Sequence, residues 1–198
     1  MEQSDEVLLS AHLQGNQGAF EELVRRYGDS LLRYLLRMCG NQPQAEDLFQ
    51  ETFSRVHEKA RMFKGRGRFK SWLYSIATNV TIDVLRKRNR RPAVIALDQE
   101  DDCCPTVGTM PADAILDEKG RGPLQMVVLE EHKTQVQQAL ERLPERQRTT
   151  LVLAYYQGMT YREVAETLGC SLGTVKSHMF RALRTLAGIL PEIEGGLE

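Results

Sequence analysis

The sequence predicts an all-α protein: two small helical domains joined by a flexible acidic linker, the second containing a helix-turn-helix. Three observations carry this. Apolar residues recur at three- and four-residue spacing in several segments, while Val, Ile and Thr nowhere alternate over a long run. Aromatic residues make up only 7% of the 198 residues, which disfavours sheet. Between Pro92 and Pro123 the periodicity stops, and four prolines, several glycines and an acidic run take its place. Such composition marks a linker, and a connector this long is unusual inside one compact domain. The expected division is 1–91, a linker over 92–123, and 124–198.

Each element has its own signal. Ser4 can cap a first short helix, with Asp5 and Glu6 in its first turn and Gly15 at its end. Phe20, Leu23, Val24, Tyr27, Leu31, Tyr34, Leu35 and Met38 form one apolar stripe of a second helix, stopped by Gly40. Pro43 suits the first turn of a third helix, whose inner face is Leu48, Phe49, Thr52, Phe53 and Val56. Gly65 and Gly67 break the chain in a basic loop. A fourth helix starts near Phe69 with Trp72, Leu73, Ile76, Ala77, Val80 and Val84 on one side, and ends at Pro92. Beyond the linker, Val128, His132, Val136, Leu140 and Leu143 define a helix interrupted at Pro144. Leu151, Val152, Ala154 and Tyr155 belong to another, ending at Gly158.

The net charge of −1 hides a segregated pattern. Ten acids face six bases in Met1 to Ala60; Arg61 to Arg91 holds ten bases and the single acid Asp83. Pro92 to Glu131 reverses this, with nine acids against Lys119 and Arg121. Charges act over a Debye length of about 8–10 Å, so the basic block can meet phosphates whatever the total. No stretch reaches the roughly 18–20 apolar residues of a membrane span, and the acidic N-terminus lacks a signal-peptide layout. A cytoplasmic protein without membrane insertion is expected. Cys39, Cys103, Cys104 and Cys170 make no C-x-x-C pair, so free thiols are expected. His12, His57, His132 and His178 are scattered, with no carboxylate grouping at ligand spacing and no glycine-rich phosphate loop. Neither metal, cofactor nor catalytic cluster is expected, which weighs against a nucleic-acid enzyme.

Thr160 to Leu186 is the most informative stretch. Thr160-x-x-Glu163 has the form of a capping box; Val164, Ala165 and Leu168 point inward; Gly169 permits the turn. Ser171 can cap a further helix buried through Val175, Met179, Ala182 and Leu186. Two helices joined by a glycine-containing turn describe a helix-turn-helix, whose second helix enters the DNA major groove. Gly173 and Thr174 allow phosphate to approach the helix N-terminus. Lys176, Ser177, His178, Phe180, Arg181 and Arg184 are expected to reach backbone or base edges. The plainer alternative is a helical hairpin with a solvated cationic face; cap, small residue and apolar spacing together favour DNA.

Arg61 to Arg91 combines cationic charge with Phe63, Phe69, Trp72 and Tyr74, a mixture suited to single-stranded nucleic acid. Periodicity alone places Trp72 in the core, and a terminal Arg/Lys run also suits a solvated helix end.

Three blocks in this order resemble the extracytoplasmic-function sigma factors of bacterial RNA polymerase. They are Ala45-Glu46-Asp47-Leu48-Phe49-Gln50-Glu51-Thr52-Phe53; Phe69-Lys70-Ser71-Trp72-Leu73-Tyr74-Ser75-Ile76-Ala77-Thr78-Asn79; and Leu143-Pro144-Glu145-Arg146 followed by Gly173-Thr174-Val175-Lys176-Ser177. The resemblance covers about Ala19 to Leu186. It implies a sigma factor that directs promoter-specific initiation through core RNA polymerase, meeting its clamp helices and flap. Asp47, Gln50 and Glu51 would contact the clamp helices, as exposed carboxylates suit a basic partner surface. Lys64, Arg66, Arg68, Lys70, Trp72, Asn79, Asp83, Arg86, Lys87 and Arg90 would bind the minus-ten element, opened to single strand with one or two bases flipped. The C-terminal helix, from Ser171 through Arg184, would read the minus-thirty-five element as duplex. An anti-sigma factor is a further implied partner. His178 stands where the family often has arginine, and the loop from Lys64 to Lys70 is unusually basic for it. A stand-alone regulator would use the same C-terminal motif, but it leaves the Asp47 block without a role.

Overall fold

In the first module a 23-residue helix is the post around which the others pack. The computed structural model describes residues 3–63, 68–88 and 134–194, and no strand occurs among them. Helix α1 spans Asp5–Leu13, α2 Gln17–Cys39 and α3 Gln42–Lys59, followed by a 3-10 turn at Ala60–Met62; α4 spans Phe69–Arg88. Local chemistry sets these limits. Ser4, Asn16 and Asn41 each accept a backbone N–H from the first turn of the helix they precede, satisfying donors that have no intrahelical partner. Gly40 ends α2 with φ of +69°, the left-handed conformation expected of a glycine stop.

The predicted stripe of α2 is the centre of the core: Leu23, Leu31, Tyr34, Leu35 and Met38 are fully buried. Tyr34 spans to α4, its hydroxyl 2.8 Å from Thr78 Oγ1, so a polar group in the core keeps a partner. Burial pushes the Tyr34 phenol far above its ordinary pKa. Helix α1 is held by Asp5, which accepts from Arg26 Nη1 at 3.0 Å and from the Tyr27 hydroxyl.

The second module comprises a helix over 134–141 (α5), α6 at Glu145–Leu151, α7 at Tyr161–Leu168 and α8 at Leu172–Glu194. Its core is Leu140, Leu143, Leu151, Val152, Leu153, Met159, Val164, Val175, Met179 and Ala182. Helix α6 continues into a π turn at Val152–Tyr156, where the Gln157 N–H reaches back five residues to the Val152 carbonyl at 3.2 Å. Just before it, the buried hydroxyls of Thr149 and Thr150 donate to the Glu145 and Arg146 carbonyls. Such back-bonding bends helices, and π turns concentrate at functional positions.

The two modules touch. Their junction carries hydrogen bonds, ion pairs and a cation–π contact beside apolar packing, and is built by α2 and α4 on one side, and by α6, the π turn and α7 on the other. The linker expected over 92–123 lies outside the described residues, as do Cys103 and Cys104.

Candidate nucleic-acid interface

The helix-turn-helix forms as its local chemistry dictates. Glu163 N–H donates to Thr160 Oγ1 at 3.3 Å, while Glu163 Oε2 accepts from the Thr160 N–H and hydroxyl at 2.8 Å each. Gly169 takes φ of +63° between the helices. Ser171 Oγ accepts from the Thr174 N–H at 3.0 Å at the start of α8. The second helix is much longer than a short recognition helix, continuing to Glu194.

Along α8 the exposed or half-exposed positions are Ser171, Gly173, Thr174, Lys176, Ser177, Phe180, Arg181 and Arg184. They lie on the side away from Val175, Met179 and Ala182. His178 departs from expectation: it is buried, only 8% exposed. It follows Val175 by three residues and precedes Ala182 by four, which puts it on their face of the helix. Its imidazole therefore belongs to the packing of α8 and does not present itself to the groove.

On α4, Trp72, Asn79, Asp83, Arg86 and Lys87 recur at helical spacing and share one face. Asn79, Asp83, Arg86 and Lys87 are exposed. Trp72 is half-buried, its ring 5.1 Å from Phe63 and 5.9 Å from Phe69. It is neither a full core residue nor a free stacking platform, but the exposed edge of an aromatic cluster. Lys64, Arg66 and Arg90 lie outside the described residues. On α3, Asp47, Gln50 and Glu51 are all exposed and share one face. Glu51 is engaged by Arg55 one turn on, at 2.7 Å.

Periodicity could not reveal where the second module sits. Three of the expected strand-binding cations meet it. Arg68 pairs with Glu163, Lys70 Nζ donates to the Gln157 carbonyl at 2.7 Å, and Arg86 lies 3.7 Å from Glu145. Tyr74 Oη donates to Gln157 Oε1 at 2.6 Å and lies 3.2 Å from Ser30 Oγ. Its phenol is pushed up to about 12, chiefly by burial. Arg37 stacks over the Tyr156 ring at 4.0 Å, a cation–π contact. Arg148 reaches across with Nη1 on the Met38 carbonyl at 2.8 Å and Nη2 on the Glu141 carbonyl at 2.6 Å. Burial lowers the guanidinium's pKa, yet arginine stays charged. A polar cavity of about 570 Å³ opens at this seam, lined by Asp5, Arg26, Tyr27, Ser30, Lys70, Tyr156 and Gln157.

Glu163 couples the capping box to the seam. The Thr160 N–H and hydroxyl, then Arg68, hold its carboxyl below the ordinary carboxylate range. A depressed folded pKa adds stability that is complete above the unfolded pKa and lost as pH falls through the folded one. Glu163→Gln keeps a side chain able to close the capping box and removes only the charge, so it is expected to lower stability at neutral pH by about 0.3–1 kcal/mol, the usual worth of an acid in a first helical turn. Thermal melts from neutral to acid pH check this: the gap between the two proteins closes as the carboxyl protonates.

Among the described residues no group of three or more His, Cys, Asp or Glu side chains assembles, and no helix is long and apolar enough to cross a membrane.

Comparison with known proteins gives this arrangement its kin. The family described as Sigma-70 region 2 matches residues 23–91, the α2–α4 module, and Sigma-70, region 4 matches 133–186, the helix-turn-helix module. The ECF RNA polymerase sigma factor SigW of Bacillus subtilis is 34% identical over 87% of this chain and 89% of its own length. The RNA polymerase sigma-H factor of Pseudomonas aeruginosa is 30% identical over 91% of each. Against the ECF RNA polymerase sigma factor SigE of Mycolicibacterium smegmatis, identity is 35% and the chain spans 64% of that protein. Among solved structures, the sigma factor RpoE of Bartonella quintana, in complex with the anti-sigma factor NepR, matches with a TM-score of 0.62 and 26% identity, over 87% of this chain and 96% of that one. CnrH, in complex with the cytosolic domain of CnrY, shares the fold with a TM-score of 0.67 at 23% identity over 96% of this chain and 99% of that one. With one module matching region 2, the other region 4, and relatives at least 30% identical over about nine-tenths of their length, the chain belongs to the extracytoplasmic-function family of RNA polymerase sigma factors.

Proposed function

We propose that the chain binds core RNA polymerase and directs initiation at chosen promoters, with 1–91 and 124–198 as its working modules. The observation that carries this is the separation of three polar faces on one helical frame: acidic on α3, cationic with an aromatic edge on α4, and cationic on α8. In this reading Asp47, Gln50 and Glu51 meet the clamp helices, and the second module also meets the flap. The face of Trp72, Asn79, Asp83, Arg86 and Lys87, with Arg68 and Lys70 beside it, holds the opened minus-ten strand together with Lys64, Arg66 and Arg90. Unpairing costs a few kcal/mol per base, which stacking and phosphate contacts offset. Ser171, Gly173, Thr174, Lys176, Ser177, Phe180, Arg181 and Arg184 contact the minus-thirty-five duplex. The chain itself makes and breaks no bonds; catalysis belongs to the polymerase, so the chain works in the cytoplasm. The likeness to RpoE solved with NepR supports an anti-sigma partner.

The seam adds a condition. Lys70 is held by the second module, so the modules must part before it reaches a DNA strand, whereas Arg68 and Arg86 pair with that module from largely exposed positions and need only break a surface ion pair.

The decisive test is in vitro transcription with purified core polymerase and a promoter library. Defined start sites that require the chain support the reading; no start at any defined site overturns it. At the upstream element, Arg181→Ala is expected to weaken binding by about 1–3 kcal/mol where the guanidinium makes a bidentate base contact. Fluorescence anisotropy on duplexes altered one base at a time reads this. A loss confined to certain sequences marks base recognition, and an equal loss on all of them marks a phosphate contact.

A further inference from the structure

Two histidines 45 positions apart meet at the far side of the first module. His12 lies in the last turn of α1 and His57 in that of α3. His12 Nε2 and His57 Nδ1 are 3.1 Å apart, at an exposed position. The rings are held by Phe20 of α2, whose centroid is 4.6 Å from His12 and 5.7 Å from His57. Phe20 in turn stands edge-on to Phe53 of the core, at 6.1 Å. Three helices thus fix the direction of two nitrogens that would otherwise swing freely.

We propose that His12 and His57 form a two-nitrogen site for a divalent transition metal, Zn2+, Ni2+ or Cu2+, which ties the end of α1 to α3. Imidazole suits these ions. A metal about 2.0–2.1 Å from each nitrogen, across the observed 3.1 Å, makes a ligand–metal–ligand angle of roughly 100°. That angle fits both tetrahedral and square-planar coordination.

The proton accounting is simple. In a neutral pair one ring N–H donates to the lone pair of the other ring. Metal binding needs only a tautomer shift that moves that hydrogen to the far nitrogen of its own ring, with no proton lost. No third His, Cys, Asp or Glu joins the pair among the described residues. Water fills the remaining positions, which makes the ion exchangeable, unlike the four-ligand closed sites of structural zinc.

Isothermal titration of the full, metal-stripped chain with Ni2+ and Zn2+ tests this. The expected result is one saturable site per chain in the micromolar range. His12→Ala and His57→Ala should each weaken it at least tenfold while melting as the parent does in chelator, and the double variant Cys103→Ser/Cys104→Ser should leave it unchanged. Cu2+ electron paramagnetic resonance, with two nitrogen donors expected in the parent, gives a second readout should either alanine variant fold poorly. Binding that ignores both histidines, depends on one alone, follows the vicinal thiols, or fails to saturate below millimolar would leave the pair a hydrogen bond and nothing more.

Discussion

Asp47→Arg is expected to remove the chain's hold on core polymerase while leaving its melting curve in place. Asp47 is exposed on α3 and shares a face with Gln50 and Glu51, whereas Ala45, Leu48, Thr52 and Val56 face the core. Surface substitutions away from caps and networks usually change stability by less than about 0.5 kcal/mol, so the fold has no stake in this carboxylate. Against a basic partner the reversal both removes an attraction and installs a like-charge contact, which costs several kcal/mol. The expected loss of affinity is about a hundredfold or more. Pull-down of core polymerase with the variant, beside a thermal melt, measures both quantities. Undiminished capture would move the polymerase contact elsewhere.

Arg148→Ala has the next largest expected effect, and it acts on the relation between the modules. The Met38 carbonyl is one of the last in α2, where intrahelical donors run out. Arg148 supplies the missing donor from the other module and also gathers the Glu141 and Leu143 carbonyls. A hydrogen bond to a charged group is worth about 1.5–3 kcal/mol, so losing the one to Met38 shifts the closed arrangement by roughly ten- to a hundredfold. Small-angle scattering is expected to show a larger radius of gyration for the variant, and single-stranded oligonucleotides to bind it more tightly as Lys70 comes free. Gln157→Ala severs a different part of the seam, the bonds to Tyr74 and the Ser30 carbonyl, and should move both measurements in the same direction. An unchanged radius for both variants would mean these contacts do not hold the modules together.

Features set within a few residues of chain were legible in the sequence. The α2 stripe, the Gly40 stop, the Thr160–Glu163 capping box and the Ser171 cap are each fixed by period or by a side chain meeting a nearby N–H, and each forms as read. His178 lies inside because spacing outranks residue type: three residues from Val175 and four from Ala182, it falls on their buried face. Trp72 packs against the core, as its spacing predicts, and also against Phe63, which arrives from beyond a loop, with a minor part of its surface left accessible. Arg148, Gln157 and Tyr156 carry no signal in the sequence, and nothing in the Leu143–Arg146 block marks Glu145 as a seam residue. Their partners lie 59 to 127 positions away in the chain, from Glu145 and Arg86 at the near end to Gln157 and Ser30 at the far end, and only tertiary assembly brings them together. The π turn was invisible for a related reason: it arises where α6 must satisfy the seam and its own core at once.

That wider turn also sets a phase. An α turn closes over four residues and this one closes over five, the Gln157 N–H reaching Val152. The surplus residue is taken up inside Val152–Tyr156, so trimming one residue there would restore regular winding and leave Gln157 near its place. One residue added has no wider turn to take it up, and at about 100° per residue it would swing Gln157 away from Tyr74 and Lys70: the stretch between the Arg148 anchor and the Gln157 latch forgives a loss and punishes a gain.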